Sequence, residues 1–223
     1  MNKMMKYPQR ETPSAINTIL ASPQGVTSLE DVVSIIRPRA TLAVTYQRGS
    51  DLVSALQIGV KHINHMGFLP KPDKFDLILL PEMVNKEEFL RPFDVLIVTN
   101  GQRMGDVSIA PPETPEPGAG GWVVNQSLTI LRASSPDDAI CLAVFLRSEL
   151  GWTAMLELTP GAVRDHFPGR TLRQIPIPVM TETHRMQVKA VLAKQDVLQK
   201  QLHELREALY QSRSEIWPYD GDA

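Results

Sequence analysis

The amino-acid sequence predicts an α+β protein, in which a β-rich domain with a few helices is followed by one long C-terminal coiled-coil helix. Short apolar, β-branched runs separated by glycine and proline fill residues 40–131, a pattern typical of strands joined by turns. Near the C-terminus, apolar residues recur instead at alternating spacings of three and four, which is typical of a coiled coil.

The composition is that of an ordinary globular chain. Of its 223 residues 43% are hydrophobic and 22% charged, and the net charge of −2 argues against a general polyanion binder but not against a sequence-specific one. The single cysteine, Cys141, lies in an apolar run and is interpreted as a small buried hydrophobe. Because no apolar stretch approaches the ~18 residues of a membrane span and the N-terminus is polar, we expect a cytoplasmic protein without a membrane partner.

The chain is predicted to begin with a flexible lead over residues 1–24, in which prolines interrupt a polar stretch. A domain then extends over residues 25–178. It opens with a short helix over residues 28–36, for which Ser28 is a suitable N-cap and Asp31 completes a capping box.

The β-rich part of this domain is predicted to contain six strands, each an apolar run that ends at a turn residue. The runs at 94–99 and 107–110 are close enough to pair, and the proline-rich residues 111–121 are predicted to form a loop. The predicted strands are residues 42–46, 53–60, 75–80, 94–99, 107–110 and 122–131.

A helix and an extended hinge are predicted to follow. Ser135 is a suitable N-cap, Pro136 suits the first turn, and Gly151 is predicted to stop the helix. The sequence LRQIPIP at residues 172–178 is predicted to be extended, because prolines at alternate positions exclude a helix and a central strand.

Residues 179–215 are predicted to form a dimerising helix, with residues 216–223 as a tail. Its a and d positions form a narrow seam, which favours a partner helix over the alternative that the helix packs on its own domain. The polar residue at one a position is interpreted as a register device. The seam consists of Val188, Val191, Gln195, Leu198, Leu202, Leu205 and Leu209.

Signatures of catalysis are missing from the sequence. It contains no phosphate-binding loop, no glycine-rich dinucleotide turn and no Asn-Pro-Pro-aromatic tetrapeptide of the kind that amino-methyltransferases use. His62 and His65 have the spacing to share a metal but lack a carboxylate pair to complete the site. We therefore predict a binding protein with no catalytic residue, no metal and no cofactor.

Five segments, taken in order, resemble the specificity (S) subunits of type I restriction-modification systems. The most informative is LRPFDVLIVTNGQRMGDV at residues 90–107, which resembles the family's strand, glycine turn and strand. The sequence departs from the family in two ways: PVMTETH after the hinge lacks the family's glutamine, and there is one recognition domain and one arm where the family has two of each. The other four segments are residues 28–36, 125–128, 145–148 and 172–178.

The resemblance implies a non-catalytic DNA-recognition subunit of a DNA adenine methyltransferase complex, with or without a restriction nuclease subunit. A half-length form implies a homodimer held by the C-terminal helix, or pairing with a different half-subunit. Two other classes stay open: a dimeric protein-interaction scaffold that does not bind DNA, and an enzyme with an unrecognised site.

Polar residues in the loops of the resembling segments are the candidates for contact with double-stranded DNA. Amide, imidazole and guanidinium groups near the glycine turn suit base edges, and arginines elsewhere suit phosphates. The predicted DNA-binding residues are Lys61, His62, Asn64, His65, Asn100, Gln102, Arg103, Arg164, Arg170 and Arg173.

Overall fold

A computed structural model describes residues 14–38, 52–65, 67–70, 76–81, 86–159 and 166–216, and it confirms the α+β class with a long C-terminal helix. The predicted strand at 42–46 lies outside the described residues. The helices are α1 (Ala15–Leu20), α2 (Leu29–Val32), α3 (Pro136–Arg147), α4 (Glu149–Glu157), α5 (Gly169–Arg173) and α6 (Glu182–Ile216). The strands are β1 (Val26–Ser28), β2 (Val33–Ile36), β3 (Leu52–Ile58), β4 (Asp76–Pro81), β5 (Val95–Val98), β6 (Val107–Ile109), β7 (Trp122–Val124), β8 (Leu128–Ala133) and β9 (Pro176–Pro178).

The central strand, β5, belongs to a four-stranded antiparallel sheet with the order β2-β8-β5-β6. The predicted pairing of the runs at 94–99 and 107–110 is confirmed by the β5–β6 ladder. Side chains of a strand alternate between faces, and here both faces are covered. Val95 and Ile97 pack into the core beneath the helices, and Leu96 and Val98 pack into a second core on the other face. All of β5 is therefore buried.

A second sheet, with the order β4-β3-β7, joins that second core through Ile58, Trp122 and Val124. β3 pairs antiparallel with β4 and parallel with β7. The prediction of one strand over residues 122–131 is wrong, since β7 and β8 belong to different sheets. The chain turns between them at Asn125, whose side-chain Oδ1 accepts a hydrogen bond from the backbone N–H of Ser127 at 3.1 Å.

Two helices, α3 and α4, cover one face of the four-stranded sheet. Ser135 caps α3 as predicted and accepts a hydrogen bond from the Asp138 N–H at 3.2 Å. The prediction that Gly151 stops this helix is wrong, because Ser148 ends α3 and caps α4. Gly151 lies inside α4, where a Cβ atom would stand 2.2 Å from the carbonyl oxygen of Phe145. Cys141 is buried, as predicted.

The predicted helix over residues 28–36 is only partly present. Ser28 and Asp31 form the predicted capping box at the start of α2. The helix ends at Val32 because the following residues pair with β8 as strand β2, with Ile35 opposite Leu131. The tertiary pairing thus overrides the local capping signal.

The described part of the predicted flexible lead contains α1, which packs on the domain. Ile19 is buried, and the Glu157 carboxylate accepts hydrogen bonds from the N–H groups of Ala15 and Ile16 at 2.8 and 3.1 Å. The hinge is extended, as predicted, at residues 176–178, which pair as β9 with β1. Its first two residues, 172 and 173, instead end the short helix α5.

The first turns of α6 dock on α3. Leu192 is buried there, Arg185 forms an ion pair with Asp138, and Lys189 forms one with Asp137. Within the described residues no single helix has the length and apolar composition needed to cross a membrane; α3 and α4 meet that test only jointly, across a bend of 72°.

Candidate nucleic-acid interface

The turn that follows β5 forms the centre of a polar surface at one edge of the domain. The Gly105 N–H donates to the Val98 carbonyl at 2.8 Å, and the Met104 N–H donates to the Gly101 carbonyl at 3.0 Å. Three neighbouring segments contact this turn through the hydrogen bonds described below. We call the assembly the turn surface, which consists of residues 60–65, 99–106, 125–127 and 166–167.

The two glycines of the turn have different surroundings. Both have positive φ angles, +92° at Gly101 and +89° at Gly105, a conformation that favours glycine. A Cβ atom at Gly105 would lie 1.8 Å from a ring carbon of Trp152 in α4, whereas one at Gly101 would meet no atom within 4 Å. The turn is therefore packed on the domain at Gly105 and open to solvent at Gly101.

Arg103 connects the turn to the segment at residues 60–65. Its Nη1 and Nη2 donate to the carbonyl oxygens of Val60 and Ile63, each at 2.9 Å, and its Nε donates to an Asp106 carboxylate oxygen at 2.7 Å. Its side chain is 42% exposed, but its polar atoms are bonded to the protein. This predicted DNA-binding residue therefore lies in the surface and holds it together.

The other predicted residues of this segment differ in exposure. Lys61 is exposed and pairs with Asp76 at 2.9 Å, while Asn64 donates to the Phe68 carbonyl at 3.2 Å. His62 is buried, with only 6% of its surface exposed, and its Nδ1 accepts from the Gly59 N–H at 3.0 Å. A buried His62 cannot reach a base edge in this conformation. Its hydrogen bond with Gly59 instead stabilises the segment at residues 60–65.

His65 is half-buried against β6. Its Nδ1 accepts a hydrogen bond from the Val107 N–H at 3.2 Å, which requires the neutral ring. Burial lowers the pKa of His65 most; Arg147 and Arg103 lower it further, while Asp106, 3.7 Å away, raises it. The net lowering keeps the ring neutral and the bond intact near neutral pH.

A further residue, His166, joins the turn surface without having been predicted. Its ring Nδ1 contacts Asn100 Oδ1, and the adjacent Phe167 N–H donates to the Thr99 carbonyl at 2.7 Å. Asn100 Nδ2 in turn donates to the Gln126 carbonyl at 3.2 Å. Nothing in the local sequence pattern marks His166, because its contacts are to residues about 66 positions away.

The remaining predicted residues lie at the tip of the turn, on helix α5 or outside the described part of the chain. Gln102 is exposed at the tip of the turn. Arg170 is exposed on α5, and Arg173 pairs with Glu30 of α2 at 3.5 Å. Arg164 lies outside the described residues. The structure therefore brings together the seven predicted residues at positions 61–65 and 100–103, and it places the two described arginines on α5, where Arg173 contacts α2.

The turn surface has the chemistry of a binding surface. Its exposed side chains include Lys61, Gln102 and His166, which supply hydrogen-bond donors and acceptors suited to base edges. In the described part of the chain, no cluster of three or more histidine, cysteine, aspartate or glutamate side chains could hold a metal ion. A cavity of about 340 Å³ lies elsewhere, beside the hinge, with mainly apolar walls.

The seam of α6 is largely uncovered. Beyond the docked turns, Leu198, Leu202, Leu205 and Leu209 are 54%, 48%, 68% and 54% exposed. Val191 is 47% exposed, although its neighbour Leu192 is buried on α3. The domain therefore leaves the distal seam uncovered, whereas two seam residues of the docked turns, Val188 and Gln195, are half-buried.

Comparison with known proteins supports the fold alone. No protein-family model matches the chain, and no curated protein matches it. One matching structure is a chain of a type I restriction-modification (R-M) system, solved to explain complex assembly, with 18% identity and a TM-score of 0.50 over 94% of this chain and 45% of that one. Another is the type I S subunit from M. genitalium, with 8% identity and a TM-score of 0.51 over 90% of this chain and 46% of that one.

These similarities confirm, at the level of fold, the resemblance to type I S subunits that the sequence predicts. The chain spans less than half the length of either structure.

Proposed function

We propose that this chain is a non-catalytic, sequence-specific DNA-recognition subunit that works with a DNA methyltransferase subunit, with or without a nuclease subunit. The fold it shares with type I S subunits supports this role. One observation carries the proposal: the turn surface is fixed by contacts within the domain, while the side chains at its rim stay exposed. The backbone of such a surface can contact DNA without first reorganising, which favours specific binding.

The rim residues are the proposed base readers. Gln102 at the tip of the turn has an amide that can bond adenine in two places, and Lys61 and His166 flank it on neighbouring segments. Lys61 would have to exchange Asp76 for DNA, whereas Arg103 keeps its protein partners. Arg103 and His62 therefore act in this proposal by holding the surface in shape.

The arm supplies the proposed dimer. A helix of 35 residues is about 52 Å long at ~1.5 Å per residue. Two arms paired antiparallel along the seam would place two turn surfaces at opposite ends, related by a two-fold axis. Because the two-fold axis relates the two surfaces, their half-sites would form an inverted repeat whose centre is not read. Since one turn of duplex advances ~34–36 Å, the half-sites could lie about one turn or slightly more apart.

Selection of duplexes from a random library, with the methyltransferase subunit present, tests this function. We expect an inverted, bipartite target, and Gln102→Ala should relax one position in each half-site, at a cost of ~1–3 kcal/mol for the lost base contact. Gln174→Ala is the matched control, because Gln174 is an exposed glutamine on another part of the domain. A continuous motif would contradict the antiparallel dimer, and an asymmetric one would indicate a different half-subunit.

Two results would favour the other classes of protein. A stable dimer that enriches no sequence would favour the protein-interaction scaffold, for which the exposed seam and the net charge of −2 are sufficient. Saturable binding of S-adenosylmethionine by the pure chain would contradict the non-catalytic role.

A further inference from the structure

Arg147, the last residue of α3, places a guanidinium group where the segment around Gly67 meets β6, next to the turn surface. Its Nη2 donates to the Gly67 carbonyl at 2.7 Å and its Nε to the Val107 carbonyl at 3.2 Å. Among the described residues, the buried Nη1 has no hydrogen-bond partner and no carboxylate forms an ion pair with Arg147.

A second arginine shows how unusual this position is. Arg132 is also largely buried, but it bonds to Asp94 at 2.8 Å and to Glu87 at 2.7 Å, and these carboxylates raise its pKa against the opposing effect of burial. At Arg147 burial acts alone and lowers the pKa to about 10. The Arg147 charge is desolvated without compensation from an opposite charge, a condition that proteins generally avoid.

The carbonyls of Gly67 and Val107, which accept from Arg147, indicate the role of this guanidinium group. Among the described residues the chain around Gly67 belongs to no strand ladder, and its backbone meets β6 at an isolated bridge between Phe68 and Ile109, where the Leu69 N–H donates to the Ile109 carbonyl at 2.9 Å. Ser108 Oγ also donates to the Gly67 carbonyl, at 3.1 Å. Arg147 thus adds a charged donor at the point where an irregular segment meets the sheet, which an apolar residue in its place could not do.

Two arginines therefore hold the segment from opposite ends. Arg103 bonds the carbonyls of Val60 and Ile63 from the exposed side, and Arg147 bonds that of Gly67 from the buried side. We propose that Arg147 is a positioning residue for sequence specificity, which fixes residues 60–67 relative to the turn at 99–106 so that both read the same half-site. This inference rests on the proposed DNA-recognition function.

Hydrogen exchange on the full chain, without DNA, tests the positioning directly. In Arg147→Met the amides of residues 60–68 should exchange about tenfold faster, because the hydrogen bond to the Gly67 carbonyl is lost together with the bond to Val107 that ties this contact to β6. Arg147→Lys keeps the charge and a single donor nitrogen, and its exchange rates should lie between those of Arg147→Met and the wild type. Arg132→Lys is the matched control: it weakens another buried arginine and should not selectively accelerate this segment.

Duplex selection and salt titration test the effect on specificity. Arg147→Met should lower the ratio of specific to non-specific affinity about tenfold and leave the salt dependence unchanged. A salt slope reduced by about one would indicate a direct phosphate contact and overturn the positioning role.

The two measurements separate this inference from the proposed function. Unchanged exchange in residues 60–68 of Arg147→Met would overturn the positioning role, whatever the DNA result. Faster exchange in a protein whose wild type selects no DNA would overturn both the proposed function and the role of Arg147 in specificity.

Discussion

The side chains of the turn surface are bonded within their own domain, whereas the apolar side chains of the distal arm are exposed. In the turn surface Arg103, His65 and Asn100 are bonded to groups of the same domain. Along the arm, Leu198 and Leu205 are 54% and 68% exposed. The difference indicates that contacts within one chain complete the first region, whereas the second would be completed by the partner arm that we propose. Changes in the arm should therefore alter assembly, and changes in the turn should alter the domain.

The largest effect is expected from Leu198→Asp combined with Leu202→Asp. Two carboxylates in a buried seam would cost several kcal/mol each, because neither could be hydrated or paired. Light scattering should show the mass of a dimer for the wild type and half that mass for the variant, with an unchanged melting temperature of the domain. The control is Ala190→Asp with Ala193→Asp, which places the same charges on exposed positions away from the seam. A variant that keeps the dimer mass would show that the arm is not the interface.

The next largest effect distinguishes the packed and open ends of the turn. Gly105→Ala should destabilise the domain by about 3 kcal/mol or more, because the new methyl group overlaps the Trp152 ring in a conformation that already disfavours alanine. Gly101→Ala meets no neighbour and should cost only about 1 kcal/mol. Chemical denaturation measures both. Equal losses would mean that the turn does not pack on α4.

A smaller effect is expected where the arm docks. The hydrogen bond with Ser135 lowers the pKa of Asp138 most, and Arg185 lowers it further, against the effect of burial. A lowered carboxyl pKa contributes stability above the unfolded value near ~4 and loses it as the pH falls below that value. Asp138→Asn should lower the free energy of unfolding by less than ~1 kcal/mol at neutral pH, since the ion pair with Arg185 is partly exposed. It should also reduce the loss of stability with falling pH, as measured by chemical denaturation at acidic pH. A dimer mass changed by this substitution would contradict the separation of the docked turns from the distal seam.

The smallest effect concerns His65, whose pKa is lowered mainly by burial. The neutral ring is favoured in the folded state, so this contribution to stability is complete above the unfolded value near ~6.5 and is lost as the pH falls toward the folded value. His65→Gln should remove that slope, as followed by urea denaturation between neutral and acidic pH. If stability depends on pH as strongly in the variant as in the wild type, other titrating groups cause that dependence.

Features that local chemistry determines were predictable from the sequence. Ser135 caps α3 because its hydroxyl can accept the free N–H of Asp138, whatever the rest of the fold does. The prolines of the hinge kept residues 176–178 extended and at the edge of a small sheet. The spacing of the arm's leucines predicted a seam that the domain leaves exposed.

Features that depend on distant contacts were not predictable. Asn125 starts a turn without glycine or proline, so the two strands beside it looked continuous. Gly151 allows a close contact between α3 and α4. In the sequence alone, such a glycine cannot be distinguished from one that ends a helix. In the turn surface, the residue types were predicted but not their roles, since the carbonyls that hold Arg103 lie about 40 residues away in the chain.

The short ladder between β1 and β9 brings the two places where the chain enters and leaves the domain side by side, with Thr27 opposite Ile177. Both cuts needed to exchange the domain for another would fall within one small sheet, far along the chain but adjacent in space. The arm would then be a constant element to which different domains could be joined. A transplanted domain would need acceptors for Arg185 and Lys189 at the start of its α3, an apolar seat for Leu192 and, unless α1 moved with it, a carboxylate in the place of Glu157 to hold α1.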